Sequence, residues 1–167
     1  LRTGLWSPKR MDPMFKNSRQ YICDSRNRMR EIFLQGKYNF FLSLECDIFP
    51  EANFITNLLA HKKKLISIPY FIGEGAKSEP MIQLVDTDLL IPREIRNIST
   101  PELFLSAGKT IRVFNAGLGC TLISRQVIED IPFRWDKEIY MHDDSFFGED
   151  CYNAGIKWYC DTSMLCR

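Results

Sequence analysis

The 167-residue sequence predicts a mixed α/β sandwich with a largely parallel central sheet flanked by helices. Two observations carry this. The apolar run Phe40–Leu44 is short enough to be a buried strand and stops at two carboxylates one residue apart, Glu45 and Asp47. Stretches of helical period lie on either side of it, and further strand-like runs follow to the C-terminus. In an open α/β sheet, ligands collect outside the carboxyl ends of the strands, which makes the exit of this strand the expected binding site.

Composition bounds the function. A chain of 167 residues with 45% hydrophobic residues fits one domain with one proper core. With 22 basic and 21 acidic residues mixed along the chain, the net charge is +1, so no nucleic-acid footprint is expected. No apolar segment approaches the roughly 18–20 residues that span a bilayer, and a soluble protein is expected. Six cysteines, Cys23, Cys46, Cys120, Cys151, Cys160 and Cys166, form no CxxC pair. They read as buried thiols of an intracellular, cytoplasmic protein rather than as zinc ligands. An Asn-x-Ser sequon at Asn97 matters only for a secreted protein.

In chain order, Leu1–Asn17 reads as loop, and helical spacing of Tyr21, Ile22, Met29, Ile32 and Phe33 predicts a helix from Ser18 to Gln35, closed at Gly36. Arg19, Arg26, Arg28 and Arg30 crowd this helix, either as a solvated basic face or as phosphate contacts feeding the strand end. If Cys46 continues the extended geometry, Glu45 and Asp47 point to one side, roughly 6–7 Å apart. That spacing suits one hard cation, magnesium or manganese, whose shell is completed by substrate phosphate. The plainer alternative makes Asp47 the start of a loop, capping the helix that follows.

Next come a helix from Glu51 to His61 closed by three lysines, a strand from Leu65 to Phe71, a turn at Gly73–Gly75 and a strand from Met81 to Val85. Asp86–Lys109 is expected to be irregular, with one short helix near Glu102. In Ile111–Ser124, two strand-like runs flank Asn115, Ala116, Gly117 and Gly119, small residues that let a backbone or ligand approach closely. A short helix over Arg125–Asp130 follows. Asp143 and Asp144 stand where another helix begins, Phe146, Phe147, Cys151 and Ala154 make its inner face, and Gly155 is placed to end it. Asp144 is then either a simple cap or a general base held ionised by the helix terminus, with Asp150 as the second choice for that role. Lys157–Cys160 forms a last strand.

Taken together, the Ser25-Arg26-Asn27 helix, the acid-x-acid strand end, the Phe-Asn-Ala-Gly-x-Gly-Cys segment, the paired acids before Gly155 and the final strand entering Asp161-Thr162 resemble GT-A-fold glycosyltransferases. The likeness is to the family-two-like, inverting kind and covers roughly Gln20 to the C-terminus. It implies a nucleotide-diphosphate-sugar donor, manganese or magnesium, and a glycan, protein or lipid acceptor. On this resemblance Glu45 and Asp47 hold the metal, Arg26 and Asn27 lie near the donor, and Gly117 and Gly119 shape the sugar pocket. Asp143 and Asp144 match the acidic pair whose second member is the base. Only 37 residues precede Tyr38, too few for the β-α-β unit with which that fold begins, and Arg167 ends the chain about where relatives place a metal-completing histidine. The single domain 1–167 is therefore expected to be incomplete at one or both ends. A sugar-nucleotide pyrophosphorylase would need a basic Gly-rich loop near its start, and a two-metal phosphoesterase more than the two histidines present. A non-catalytic sugar- or nucleotide-binding module is the remaining alternative.

Overall fold

The structure, a computed structural model, describes residues 13–73, 75, 78–85, 95–139 and 141–167, with 13–17 as backbone only. Of the loop expected at Leu1–Asn17, residues 1–12 lie outside this range, and helix α1 already begins at Pro13 and runs to Gln35. Proline suits a first helical position because its missing N–H has no intrahelical partner there. The buried side chains Arg19, Cys23, Arg26 and Phe33 recur at helical spacing and face the protein.

Strand β1 spans Phe40–Leu44, as its apolar pattern predicts. Helix α2, Phe54–Ala60, is shorter than the expected Glu51–His61, because Asn53 before it takes a left-handed conformation. The strand expected over Leu65–Phe71 splits. Leu65–Ser67 forms β2, whereas Phe71–Ile72 forms β3 and pairs with β4, Glu79–Pro80. Pro69 stands at the break, where it has no N–H to give a ladder. Gln83–Val85 (β5) pairs with Ile95–Asn97 (β6) as a second small ribbon. Of the irregular stretch expected at 86–109, residues 86–94 lie outside the described range. Helix α3, Thr100–Leu105, is started by a capping box between Ser99 and Glu102. Strands β7 (Thr110–Val113) and β8 (Cys120–Ser124), helices α4 (Arg125–Asp130) and α5 (Asp143–Asn153), and strand β9 (Trp158–Asp161) complete the order.

The main sheet has the order β1-β8-β2-β9-β7. This corrects the expectation of a mostly parallel, GT-A-like sheet. β1 with β8, β2 with β8 and β7 with β9 are antiparallel, and β2 with β9 is the one parallel pair among these neighbours. The reason for the error is physical. Core covers both faces of the sheet: Leu65 and Ile123 pack with α1, α4 and α5, while Ile66 and Leu122 pack with Leu58 of α2. A strand buried on both faces is continuously apolar whichever way its neighbours run, so its composition carries no direction. The pairings make β1, β2 and β9 point one way. Their carboxyl ends therefore share one edge with the start of β8, and the candidate site lies there.

Candidate functional site

Along this edge an open cleft of about 460 Å³ lies between α1 and β1, lined by Tyr21, Ile22, Met29, Arg26, Glu45 and Asp47 among others. Arg26 is its fixed point. Its Nη2 donates to Glu45 Oε1 at 2.5 Å and its Nη1 to Asp143 Oδ2 at 2.5 Å, so one guanidinium ties α1 to the exit of β1 and to the first turn of α5. Burial opposes the Arg26 charge, but Asp143 and then Glu45 outweigh it and raise the pKa. Three residues from the predicted set are thus brought into contact across 19 and 117 residues of chain.

Glu45 and Asp47 do not lie on one extended strand. β1 ends at Leu44, and the Ile48 N–H donates to the Glu45 carbonyl at 3.2 Å, closing a turn over Cys46 and Asp47. The alternation expected for the pair therefore fails, and Asp47 stands exposed at the turn. It caps no helix, since the N-cap of α2 is Asn53. Burial, followed by Asp144, Asp47 and Asp143, pushes the Glu45 carboxyl up against the opposing pull of Arg26. Among the described residues no group of three or more His, Cys, Asp and Glu side chains could hold a metal ion.

Asp143 and Asp144 occupy the first turn of α5, where the helix dipole favours anions, and His142 is the N-cap. Asp144 accepts from the Ser145 N–H at 2.6 Å and from the Ser145 hydroxyl at 3.3 Å. Even so, burial raises its pKa, with Asp143 reinforcing and Arg26 opposing the rise. Arg19 Nη2 lies 3.1 Å from His142 Nε2. A guanidinium has no acceptor, so Nε2 must accept and His142 is the neutral Nδ1–H tautomer, in line with a pKa lowered by burial. Asp150 is not brought to this centre. It lies two turns along α5, roughly 10 Å by helical rise, where Arg134 grips it through Nε at 2.7 Å and Nη2 at 2.9 Å while also holding Glu149.

The remaining predicted residues have structural partners. Asn27 clamps the backbone of Phe133, donating to its carbonyl at 2.7 Å and accepting from its N–H at 3.1 Å. Gly117, with φ 64°, and Gly119 leave room for Tyr70 rather than for a pocket. A Cβ on Gly117 would lie 2.0 Å from the Tyr70 hydroxyl, and one on Gly119 would lie 2.7 Å from its ring. Tyr70 is a residue that sequence reasoning misses. It is buried, accepts from the Gly119 N–H at 3.4 Å, and has its pKa raised by burial and then by Asp144 and Glu45. The Gly-x-Gly spacing signals that something bulky approaches, but nothing local says what. Nor does the arginine-rich face of α1 act as one unit: Arg19 and Arg26 are buried, Arg28 is exposed, and Arg30 donates to the carbonyls of Ile128 and Glu129 near the end of α4.

No family model matches the chain, and no curated protein does. Among solved structures, its backbone is similar to that of A197 from STIV, with a TM-score of 0.58 over 87% of this chain. At 16% identity the likeness is one of fold alone. The chain spans 65% of the length of that protein. No helix among the described residues is long and apolar enough to cross a membrane.

Proposed function

We propose that the chain is a metal-dependent glycosyltransferase that moves a sugar, with inversion, from a nucleotide-diphosphate-sugar donor to a hydroxyl of a glycan, protein or lipid acceptor. The observation that carries the reading is the convergence on Arg26 of the acidic exit of β1 and the acidic first turn of α5, beside an open cleft. Two carboxylates of hard oxygen donors, Glu45 and Asp47, suit magnesium or manganese, which take few protein ligands and complete their shell with phosphate and water. Such an ion, when bound, stabilises the charge of a departing diphosphate. Asp144 takes the proton of the acceptor hydroxyl. Its burial makes it a stronger base than a surface carboxylate, and it is preferred to Asp150 because Arg134 occupies both oxygens of the latter. Arg26 keeps Asp143 and Glu45 in register on either side. A reducing, cytoplasmic location agrees with six cysteines that are all free thiols.

A thermal-shift screen of UDP-, GDP-, CMP- and dTDP-sugars with and without manganese tests the proposal. Stabilisation that requires both the metal and one nucleotide is the expected result. Asp47→Asn should remove that metal-dependent shift. Asp144→Asn should keep the shift and suppress transfer. No shift with any donor favours the second reading, a non-catalytic sugar- or nucleotide-binding module. The satisfied partners of Asn27, and the occupation of the space at Gly117 and Gly119 by Tyr70, speak for that alternative.

A further inference from the structure

We propose that β1 is a docking edge for a second copy of this chain, which pairs its own β1 antiparallel across a two-fold axis at Leu42 and joins the two main sheets into one. Such pairing is independent of any donor or acceptor. Among the described residues β1 stands at the edge of the main sheet and pairs with β8 alone. Edge strands are commonly protected from other chains by a charge, a proline or a bulge. Phe40–Leu44 contains neither charge nor proline, and its register with β8 runs unbroken from Phe40 opposite Ser124 to Leu44 opposite Cys120. The strand is instead largely apolar on both faces, as an interior strand is. Phe41 joins the core on the side of α1, and Leu42 joins the core that holds Leu58 of α2. Phe40 and Leu44 remain 39% and 45% exposed, and Tyr21, Ile22 and Met29 lie exposed along the adjoining cleft.

The backbone fixes which register is open. The Glu45 N–H donates to the Gly119 carbonyl at 3.0 Å and the Arg125 N–H to the Asn39 carbonyl at 2.8 Å. Odd-numbered residues of β1 therefore bond to β8, and Phe40, Leu42 and Leu44 turn their N–H and C=O groups to the free edge. Two copies antiparallel about Leu42 set Phe40 opposite the partner's Leu44 and Leu42 opposite its own counterpart. Each of these pairs has outward groups on both strands, so each exchanges its backbone hydrogen bonds, and apolar side chains face one another across the axis. Charge selects the same direction. Exposed Lys37 precedes the strand, whereas half-buried Glu45 and exposed Asp47 follow it. Antiparallel copies bring each basic end to an acidic end, and parallel copies would set like ends together.

The test is sedimentation velocity of the full chain over a wide range of concentration, in which the wild type is expected to pass from monomer to dimer. F40K/L44K sets ammonium groups opposite each other at both outer pairs and should weaken the dimer about tenfold or more. F40K/L44E sets an ammonium opposite a carboxylate at the same places, which only the antiparallel register does, and should recover most of that loss. Both native side chains are exposed, so circular dichroism should show the fold kept. A wild type that stays monomeric overturns the proposal and leaves the edge to a different polypeptide. A dimer that F40K/L44K does not weaken, or that F40K/L44E weakens as much, overturns it as well. Amide hydrogen exchange of the wild type, read by nuclear magnetic resonance, keeps the question answerable if the variants misfold. The N–H groups of Phe40, Leu42 and Leu44 should slow about tenfold or more between dilute and concentrated protein, relative to those of Phe41 and Ser43, which already bond to β8. Exchange at those three positions that does not change with concentration overturns the pairing.

Discussion

Replacing Asn27 by alanine separates a donor contact from a structural clamp. The amide of Asn27 makes two hydrogen bonds to the backbone of Phe133, at 2.7 and 3.1 Å. Phe133 is 3% exposed and packs against Phe147 with ring centroids 5.0 Å apart. Alanine leaves one N–H and one carbonyl without partners where little water can reach them. An orphaned buried polar group costs about 1–3 kcal/mol, so the pair should destabilise the fold by roughly 2–6 kcal/mol. For a chain of this length that corresponds to a fall of roughly 4–24 °C in melting temperature. Urea unfolding followed by circular dichroism should show a lower midpoint with an unchanged slope. Asn27→Asp should destabilise as well, because its carboxylate accepts from the Phe133 N–H but meets the Phe133 carbonyl as a second acceptor. A stability change under about 0.5 kcal/mol in Asn27→Ala, the size of an ordinary surface substitution, would refute the clamp. Loss of donor binding in the same variant would then return Asn27 to the ligand.

Three further outcomes are expected. Gly117→Ala forces a side chain into the left-handed region and onto the Tyr70 hydroxyl, so it should destabilise by roughly 2–5 kcal/mol, and Tyr70→Ala in the same chain should recover part of the loss in thermal melts. Asp161 is pushed up by burial, but Ser163 and His61 outweigh this and hold its carboxyl below the ordinary range. A depressed folded-state pKa contributes stability that is present above the unfolded value, near 3.9, and lost as pH falls through the folded one. Urea midpoints measured at pH 7 and near pH 3 should therefore fall less in Asp161→Asn than in the wild type. Asp144 has the opposite sign. Its raised pKa means that folding disfavours the charged form, so Asp144→Asn should raise the urea midpoint at pH 7, with the gain shrinking as acid protonates the wild-type carboxyl.

The elements that can be read from the chain alone are those whose signals are local. Phe40–Leu44 is a strand and Arg125–Asp130 a helix with the predicted bounds, and Gly155, at φ 74°, follows the end of the helix that Asp143 begins. Apolar periodicity and chain breakers act within a few residues, so they can be read without a partner. The acidic exit of the first strand, at Glu45 and Asp47, was legible for the same reason. Which strands are neighbours was settled by packing, because β8 is buried on both faces and its composition is silent on direction. Packing also decided what each polar residue does. Arg26 meets a carboxylate 117 residues away, Asn27 closes on Phe133, Tyr70 fills the space beside Gly117 and Gly119, and Arg134 takes Asp150 out of the centre. A hydrogen bond needs its partner within about 3 Å in space, and no spacing along the chain encodes a distance that packing alone sets.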